Sequence, residues 1–362
     1  MPEKIAVALS GGVDSSVTAF LLKEKGYNVV GVTAKTTDSP AAEKVIQNAS
    51  EVAKKLQIPF YPLDVTDIFK EKVINYFENS YKSGMTPNPC IMCNKYMKWG
   101  TLFDFAINEL NADYIATGHY AKIKKTNGLF KLYPASDEHI DQLYFLFMLE
   151  QEHLKKTLFP LSEYTKSEVR KLAYDNDLPS KSSKESQDIC FIQSPMTTKK
   201  YLNSLIPPLK GYFVEESTGK KLGEHTGFWQ FTIGQRKGIG LAAPEALYVT
   251  SIDAATNTVY VGYKDKLFSD KLFLKNVNWN YPINKQKFES MVKIRYNMKA
   301  VPAEVEILGS DAVVAFPQRV SAVAAGQACV IYDKQDGHLI GGHLYSRGKY
   351  KGERKGHNHC CT

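Results

Sequence analysis

Ile5-Ala6-Val7-Ala8-Leu9-Ser10-Gly11-Gly12-Val13-Asp14-Ser15-Ser16 is the stretch that decides the fold. Its five apolar residues are the length of a buried parallel strand. Beyond the glycines, Val13, Val17 and Leu21 recur at i, i+4 and i+8, and Gly26 stands where a helix would be capped, so a helix is predicted. A strand, a glycine turn and a helix start present bare backbone N–H groups and a positive dipole end to an anion. Gly11 and Gly12 let a phosphate approach the backbone, the serine hydroxyls add donors, and Asp14 is suited either to hold Mg²⁺ or to lock the loop. Two glycines alone would equally suit an ordinary strand-to-helix turn. No lysine follows them, so this is not the GxxxxGK[ST] loop and γ-phosphate transfer is not implied.

Outward from this stretch, strands and helices alternate. Val29 to Val32 and Phe60 to Val65 read as strands. Val45, Ala49, Val52, Ala53 and Leu56 keep helical period, and Phe69, Val73, Phe77 and Tyr81 make a helix face. Leu102 to Leu110 reads as a helix and Tyr114 to Thr117 as a strand. This pattern predicts an α/β fold, a doubly wound parallel sheet whose ligands sit at the carboxyl ends of the strands. Ser10-Gly11-Gly12 and Gly118-His119 both fall at such ends. Asn127-Gly128 signals a hairpin, and Thr165-Lys166-Ser167-Glu168 has capping-box spacing.

Near residue 200 strand signals take over: 247–252, 258–262, 292–296, 303–308, 313–316, 328–332 and 339–344, with Asp336-Gly337 as a hairpin turn. The expected division is a nucleotide-binding catalytic domain at 1–197, a small central β-rich module at 198–264 and a C-terminal β-barrel at 265–346. A basic tail, 347–362, ends His357-Asn358-His359-Cys360-Cys361 and is expected to be disordered.

The composition is that of a soluble globular chain, 43% hydrophobic and 23% charged, with net charge +8. The basic balance favours a polyanionic partner such as RNA. No apolar run approaches ~20 residues, so no membrane span is expected, and a strand beginning near Lys4 leaves no room for a leader. Six cysteines in 362 residues do not make a disulfide scaffold. A reducing cytoplasm is the expected compartment, where such thiols are catalytic, metal-binding or inert.

Cys90 and Cys93 sit in Thr86-Pro87-Asn88-Pro89-Cys90-Ile91-Met92-Cys93-Asn94. Pro87 and Pro89 stiffen the approach, which reads as a fixed loop and not a helix. CxxC occurs in redox pairs, zinc sites and Fe–S sites. A Cys₄ zinc site wants a second CxxC, which is missing here; Cys190 is the natural third thiol. By its resemblance to the loop of ATP pyrophosphatases, Ser10 to Ser16 belongs to enzymes that adenylate an oxygen, and with a rigid thiol pair this suggests sulfur chemistry. Adenylating a carbonyl oxygen makes it leave as AMP, and a sulfur nucleophile then takes its place.

The string at 10–16 resembles the PP-loop of ATP pyrophosphatases, and the chain as a whole resembles bacterial tRNA-specific 2-thiouridylases. The segments that carry the resemblance are SGGVDSS at 10–16, TPNPCIMCNKYMKWG at 86–100, ADYIATGHYA at 112–121, DQLYFLF at 141–147, SQDICFI at 186–192, FTIGQRKGIGL at 231–241, VKIRY at 292–296 and AAGQACVIY at 324–332. It implies ATP-dependent 2-thiolation of the wobble uridine in tRNAs for Lys, Glu and Gln, on a flipped-out base. By the resemblance, Ala8, Leu9, Ser10, Gly11, Gly12, Val13, Asp14 and Ser15, with Ala34 and Gly118, bind ATP; Cys93 is the nucleophile, and Cys190 carries the persulfide. Asn88, Pro89 and Cys90 meet the target base, and His119, Asp141, Gln142, Arg295, Tyr296 and Gln327 contact tRNA. ATP with Mg²⁺ and a sulfur-donor protein belong to the same expectation; a monomer is expected, and a Cys93–Cys190 disulfide is the resolved product where sulfur travels as a persulfide.

Cys90 departs from the family, where Asp is common, and leaves three thiols at the site. Two readings follow: persulfide transfer through Cys190 and Cys93, or a [4Fe–4S] cluster held by Cys90, Cys93 and Cys190 with one open iron. The segment Thr33 to Ser39 is shorter and less acidic than usual, and Ile140 replaces a common lysine. A PP-loop synthetase using ammonia and a non-catalytic RNA-binding protein are the competing classes.

Overall fold

The computed structural model describes residues 1–137, 140, 142–183, 189–193 and 195–345. Asp141, Ser186 to Asp188 and the tail 347–362 lie outside the described residues.

Strand β1 (Lys4–Ala8) is central. It pairs in parallel with β2 (Asn28–Lys35), which pairs with β3 (Phe60–Asp64), and on its other side with β4 (Tyr114–Ala116). A hairpin, β5 (Ala121–Thr126) and β6 (Leu129–Pro134), turns at Asn127 and Gly128, both at positive φ, as the Asn-Gly pair predicts. β7 (Thr157–Leu158) then completes the sheet order β3-β2-β1-β4-β7.

Both faces are covered, so β1 is apolar from Ile5 to Ala8. Ile5, Val7 and Leu9 join a core with Val13, Val17 and Leu21 of α1 (Val13–Glu24) and with Ala49, Val52 and Leu56 of α2 (Pro40–Leu56). Ala6 points the other way and packs with Val30, Val32 and Ala106. The order of strands reverses between β1 and β4, and the crevice at their carboxyl ends is where such sheets bind ligands.

Cys90 and Cys93 lie on a helix, contrary to the loop predicted from the prolines. It opens as Pro89–Met92 and continues through Cys93–Leu102, wound in the wider π form, and Phe105–Glu109. Pro89 stands at the first helical position, where its missing N–H is no loss and its fixed φ already suits the helix. Asn88 is the cap: its Oδ1 accepts from the Cys90 N–H at 3.1 Å. The proline that argued against a helix is therefore the residue that starts one.

The remaining chain is β-rich. β8 (Gly211–Glu215), β9 (Lys221–His225), β10 (Tyr248–Asp253) and β11 (Thr258–Gly262) form one sheet, in the order β10-β11-β8-β9. A seven-stranded antiparallel sheet follows, from β12 (Phe268–Leu274), β13 (Asn278–Trp279), β14 (Lys287–Lys293), β15 (Val301–Leu308), β16 (Asp311–Ser321), β17 (Ala328–Asp333) and β18 (Leu339–Leu344). β14 ends at Lys293, short of the predicted Tyr296, because the chain bends there, with the Met298 N–H turned back to the Arg295 carbonyl at 3.4 Å.

One face of the last sheet is glued to the first domain. Ala328, Val330, Tyr332 and Leu339 share a buried cluster with Ile91, Trp99, Leu143, Tyr144 and Phe147. The cysteine helix thus packs against both ends of the chain.

Candidate active site

At the carboxyl end of β1 the backbone turns through Gly11, at φ +70. A Cβ there would lie 2.5 Å from Asn48 Cβ and 3.0 Å from the Ala49 nitrogen, so glycine is required both by the turn and by α2. The serines knit the turn. The Ser10 N–H donates to Ser15 Oγ at 3.1 Å, and the Ser15 and Ser16 hydroxyls donate to the Gly12 carbonyl at 3.1 and 2.8 Å. Gly118, beyond β4, lies against this loop: a Cβ on it would sit 2.9 Å from Asp14 Cβ and carbonyl carbon and from the Ser15 nitrogen.

Asp14 accepts from Lys166 Nζ on both oxygens, at 2.8 and 2.7 Å, and from the Tyr120 hydroxyl at 2.9 Å. Lys166 stands at the start of the helix Lys166–Asp175, whose Thr165–Glu168 capping box forms as the spacing predicts. Of the two roles open to Asp14, the structure shows the lock: both oxygens accept from Lys166, and Oδ1 from Tyr120 as well.

Beside the loop is a cavity of about 240 Å³. Ala8, Leu9 and Ser10 line one wall; Thr33 and Ala34 at the end of β2, with Thr36, Thr37 and Ser39 just beyond it, line another. Cys93, Met97, Lys98, Cys190 and Gln193 face them. The nucleotide-type loop and two thiols far apart in sequence therefore share one space. Cys90 is exposed and does not line it.

All four described cysteines are free thiols, Cys90, Cys93, Cys190 and the buried Cys329, so the Cys93–Cys190 disulfide expected as a product is not present. Burial pushes the Cys93 thiol above its ordinary value, Lys98 pulls it back, and Cys90 adds to the rise. Cys190 is exposed as a residue, but its thiol is desolvated, and with Cys93 and Cys90 beside it its pKa is pushed up to about 12. Cys90, though likewise exposed as a residue, has its thiol desolvated and raised as well. The three sulfurs act on one another electrostatically and on the same cation, Lys98.

Lys98 escaped the sequence reading. It sits five residues after Cys93, a spacing that an α-helix would not align but a π-helix does. Its Nζ lies 3.2 Å from His119 Nε2, and His119 Nδ1 lies 2.7 Å from Thr117 Oγ1. The His119 ring is buried, and burial together with Lys98 holds its pKa well below 6.5. It is neutral, with Nδ1–H donating to Thr117 and Nε2 accepting from Lys98. Lys166, Tyr120 and Thr86 were missed too. Lys166 had only its capping motif as a signal, and nothing local marks the others.

The residues expected to meet tRNA are spread around this centre. Asn88 and Pro89 form the helix start. Gln142 accepts from the Tyr120 N–H through Oε1 at 2.8 Å. Arg295 reaches the Ser321 carbonyl at 3.4 Å while its Nε is buried without a hydrogen bond. Tyr296 stacks near Phe145, with ring centres 4.5 Å apart. Gln327 donates to the Thr86 carbonyl at 2.8 Å.

A phosphate-type loop at the switch point of a parallel sheet, sharing a cavity with paired cysteines, defines a nucleotide-binding α/β enzyme domain equipped for thiol chemistry. Residues 3–194 match the family described as tRNA methyl transferase HUP domain, 199–263 the tRNA methyl transferase PRC-barrel domain and 269–344 the aminomethyltransferase beta-barrel domain. The chain is 40% identical over 347 residues to the tRNA-specific 2-thiouridylase MnmA of Chlorobium phaeovibrioides, covering 93% of this chain and 96% of the relative. With the protein of the same name from Clostridium acetobutylicum the identity is 41% over 356 residues, 94% of this chain and 99% of the relative. With that from Aquifex aeolicus it is 40% over 344 residues, 91% and 96%. The chain belongs to the tRNA-specific 2-thiouridylase family.

Proposed function

We propose that this protein is an ATP-dependent tRNA-uridine 2-sulfurtransferase that acts on the wobble uridine of tRNAs for Lys, Glu and Gln. The observation that carries this reading is that Ser10, Cys93 and Cys190 line one cavity. Oxygen activation and sulfur delivery converge there, which methyl transfer or ammonia addition would not require.

The steps balance as follows. The uridine O2 attacks the α-phosphorus of ATP; a P–O bond forms and pyrophosphate leaves. The terminal sulfur of a Cys190 persulfide then attacks C2, and the C2–O bond breaks to release AMP. Cys93 attacks the Cys190 sulfur, leaving a Cys93–Cys190 disulfide and 2-thiouridine. A thiol reductant returns the two electrons, and a sulfur-donor protein reloads Cys190. Ala8 to Ser15, Ala34 and Gly118 form the ATP side, and Asn88 to Cys90 face the base. Asp141, Gln142, Arg295 and Tyr296 contact tRNA, and His119, being buried, acts through Lys98. A monomer of three parts, 1–197, 198–264 and 265–346, suits this division of labour. No helix among the described residues is long and apolar enough to cross a membrane, in keeping with a cytoplasmic enzyme.

A second reading rests on Cys90, whose thiol interacts with both of the others. Three cysteine sulfurs are the donor set of a [4Fe–4S] cluster with an open iron, which supplies a binding place for sulfide. Anaerobic iron and acid-labile sulfide assays separate the two: the persulfide reading predicts full activity in iron-free protein. The test of the main reading is Cys190→Ser. It abolishes 2-thiouridine while tRNA-dependent pyrophosphate release persists; normal thiolation by this variant would end the proposal.

A further inference from the structure

The segment that delivers the cysteines is hydrogen-bonded to the C-terminal sheet through Thr86. The Thr86 N–H donates to the Ala325 carbonyl at 2.7 Å, and the Thr86 carbonyl accepts from Gln327 Nε2 at 2.8 Å. Its hydroxyl lies 3.3 Å from that of Thr232 in the central module. Between the two anchors stands Gly326, at φ +92. A Cβ on Gly326 would lie 2.8 Å from the Thr86 carbonyl carbon and oxygen and 3.0 Å from the Pro87 nitrogen. The two backbones touch, and only glycine allows it.

The anchoring turn is itself held. The Gly326 N–H donates to the Tyr345 carbonyl at 2.9 Å, and the Tyr345 N–H to the Gln327 carbonyl at 3.1 Å. The buried Tyr144 hydroxyl donates to the Ala328 carbonyl and accepts from its N–H, at 3.1 and 3.0 Å. From Thr86 to Cys90 the chain has little slack. Pro87 and Pro89 are buried with fixed φ, and Asn88 is tied to Cys90 as its cap. A displacement at Thr86 is passed to the start of the cysteine helix.

We propose that Gly326 and Gln327 are positioning residues for sulfur transfer, through which the C-terminal sheet sets where Cys93 stands against the nucleotide loop. Gln327, expected from the sequence to touch tRNA, commits its amide nitrogen to the protein's own backbone. The inference rests on the sulfur-transfer reading above.

The test uses full-length Gln327→Met, which keeps the bulk and removes the donor. Iodoacetamide labelling of each cysteine is followed by peptide mass spectrometry, with the fully buried Cys329 as reference. Cys93 labelling should quicken by about threefold or more, and kcat for 2-thiouridine should fall about tenfold, since sub-ångström misplacement carries costs of this order. KM for tRNA and the single-turnover rate of pyrophosphate release should stay within about twofold, because neither depends on where Cys93 stands. Unchanged Cys93 labelling with a raised KM would overturn the proposal and make Gln327 a tRNA contact. A lower melting temperature with equal loss at every step would overturn it too, as a plain folding defect. Gly326→Ala should give the same split. Wild-type protein that makes no 2-thiouridine would sink the functional reading instead, while the labelling comparison still decides the positioning.

Discussion

Replacing Gly118 by alanine tests the nucleotide loop at its tightest point. The new methyl would sit 2.9 Å from Asp14 Cβ, the Asp14 carbonyl carbon and the Ser15 nitrogen. Ordinary carbon contacts begin near 3.5 Å, so about half an ångström must be found. Two of the three atoms are backbone at the start of α1, pinned by the Ser10–Ser15 bond and by Asp14–Lys166. Overpacking of this kind costs about 1–3 kcal/mol. If α1 shifts to relieve it, ATP must restore the loop on binding, and affinity falls about 5- to 150-fold, at 1.4 kcal/mol per tenfold. Gly128→Ala is the control. That residue has φ +81 but nothing within 4 Å of an added Cβ, so it should lose about 1–2 kcal/mol of stability and no ATP affinity. Titration calorimetry with ATP and thermal unfolding read both variants. Wild-type ATP affinity and melting temperature in Gly118→Ala would refute the reasoning.

Lys166→Met should leave Asp14 without its bidentate partner. The side chains are 20% and 31% exposed, between the surface and buried regimes, so a loss of about 1–2 kcal/mol in urea unfolding is expected, with weaker ATP binding measured in parallel. His119 has a folded pKa below its unfolded value, so the unfolded chain binds the extra proton. Stability is full above about pH 6.5 and falls as pH drops below it, by up to about 1.4 kcal/mol per unit. His119→Gln should flatten that acid limb in chemical denaturation at pH 5 to 7. Because burial raises the Cys93 thiol, thiolation in single turnover should climb about tenfold per pH unit from 7 to 9; a pH-independent rate would mean that its thiolate is not the nucleophile.

Much of this was legible in the chain. The 3.6 period, the capping box and the Asn-Gly turn gave the α/β domain because each is a local signal. The cysteine helix was misread because Pro89 is compatible with both a loop and a first helical position, and only the Asn88 cap decides between them. β8, β9 and β12 were missed. Gly211 and Gly223 interrupt the apolar alternation, and both are glycine because neighbours press on them, Asn257 at 2.2 Å and Leu241 at 2.7 Å from an added Cβ. The ATP loop and the thiols were visible as motifs. Lys98, Lys166 and the Thr86 anchor were not, since their roles come from partners 21 to 241 residues away.

The central claim is that ATP is split to activate a tRNA oxygen which sulfur then replaces. Purified protein given unmodified tRNA, α-labelled ATP and a persulfide donor should produce AMP, pyrophosphate and 2-thiouridine in equal amounts, with no pyrophosphate in the absence of tRNA. ADP and phosphate as products, or AMP formed without 2-thiouridine when the donor is present, would contradict it.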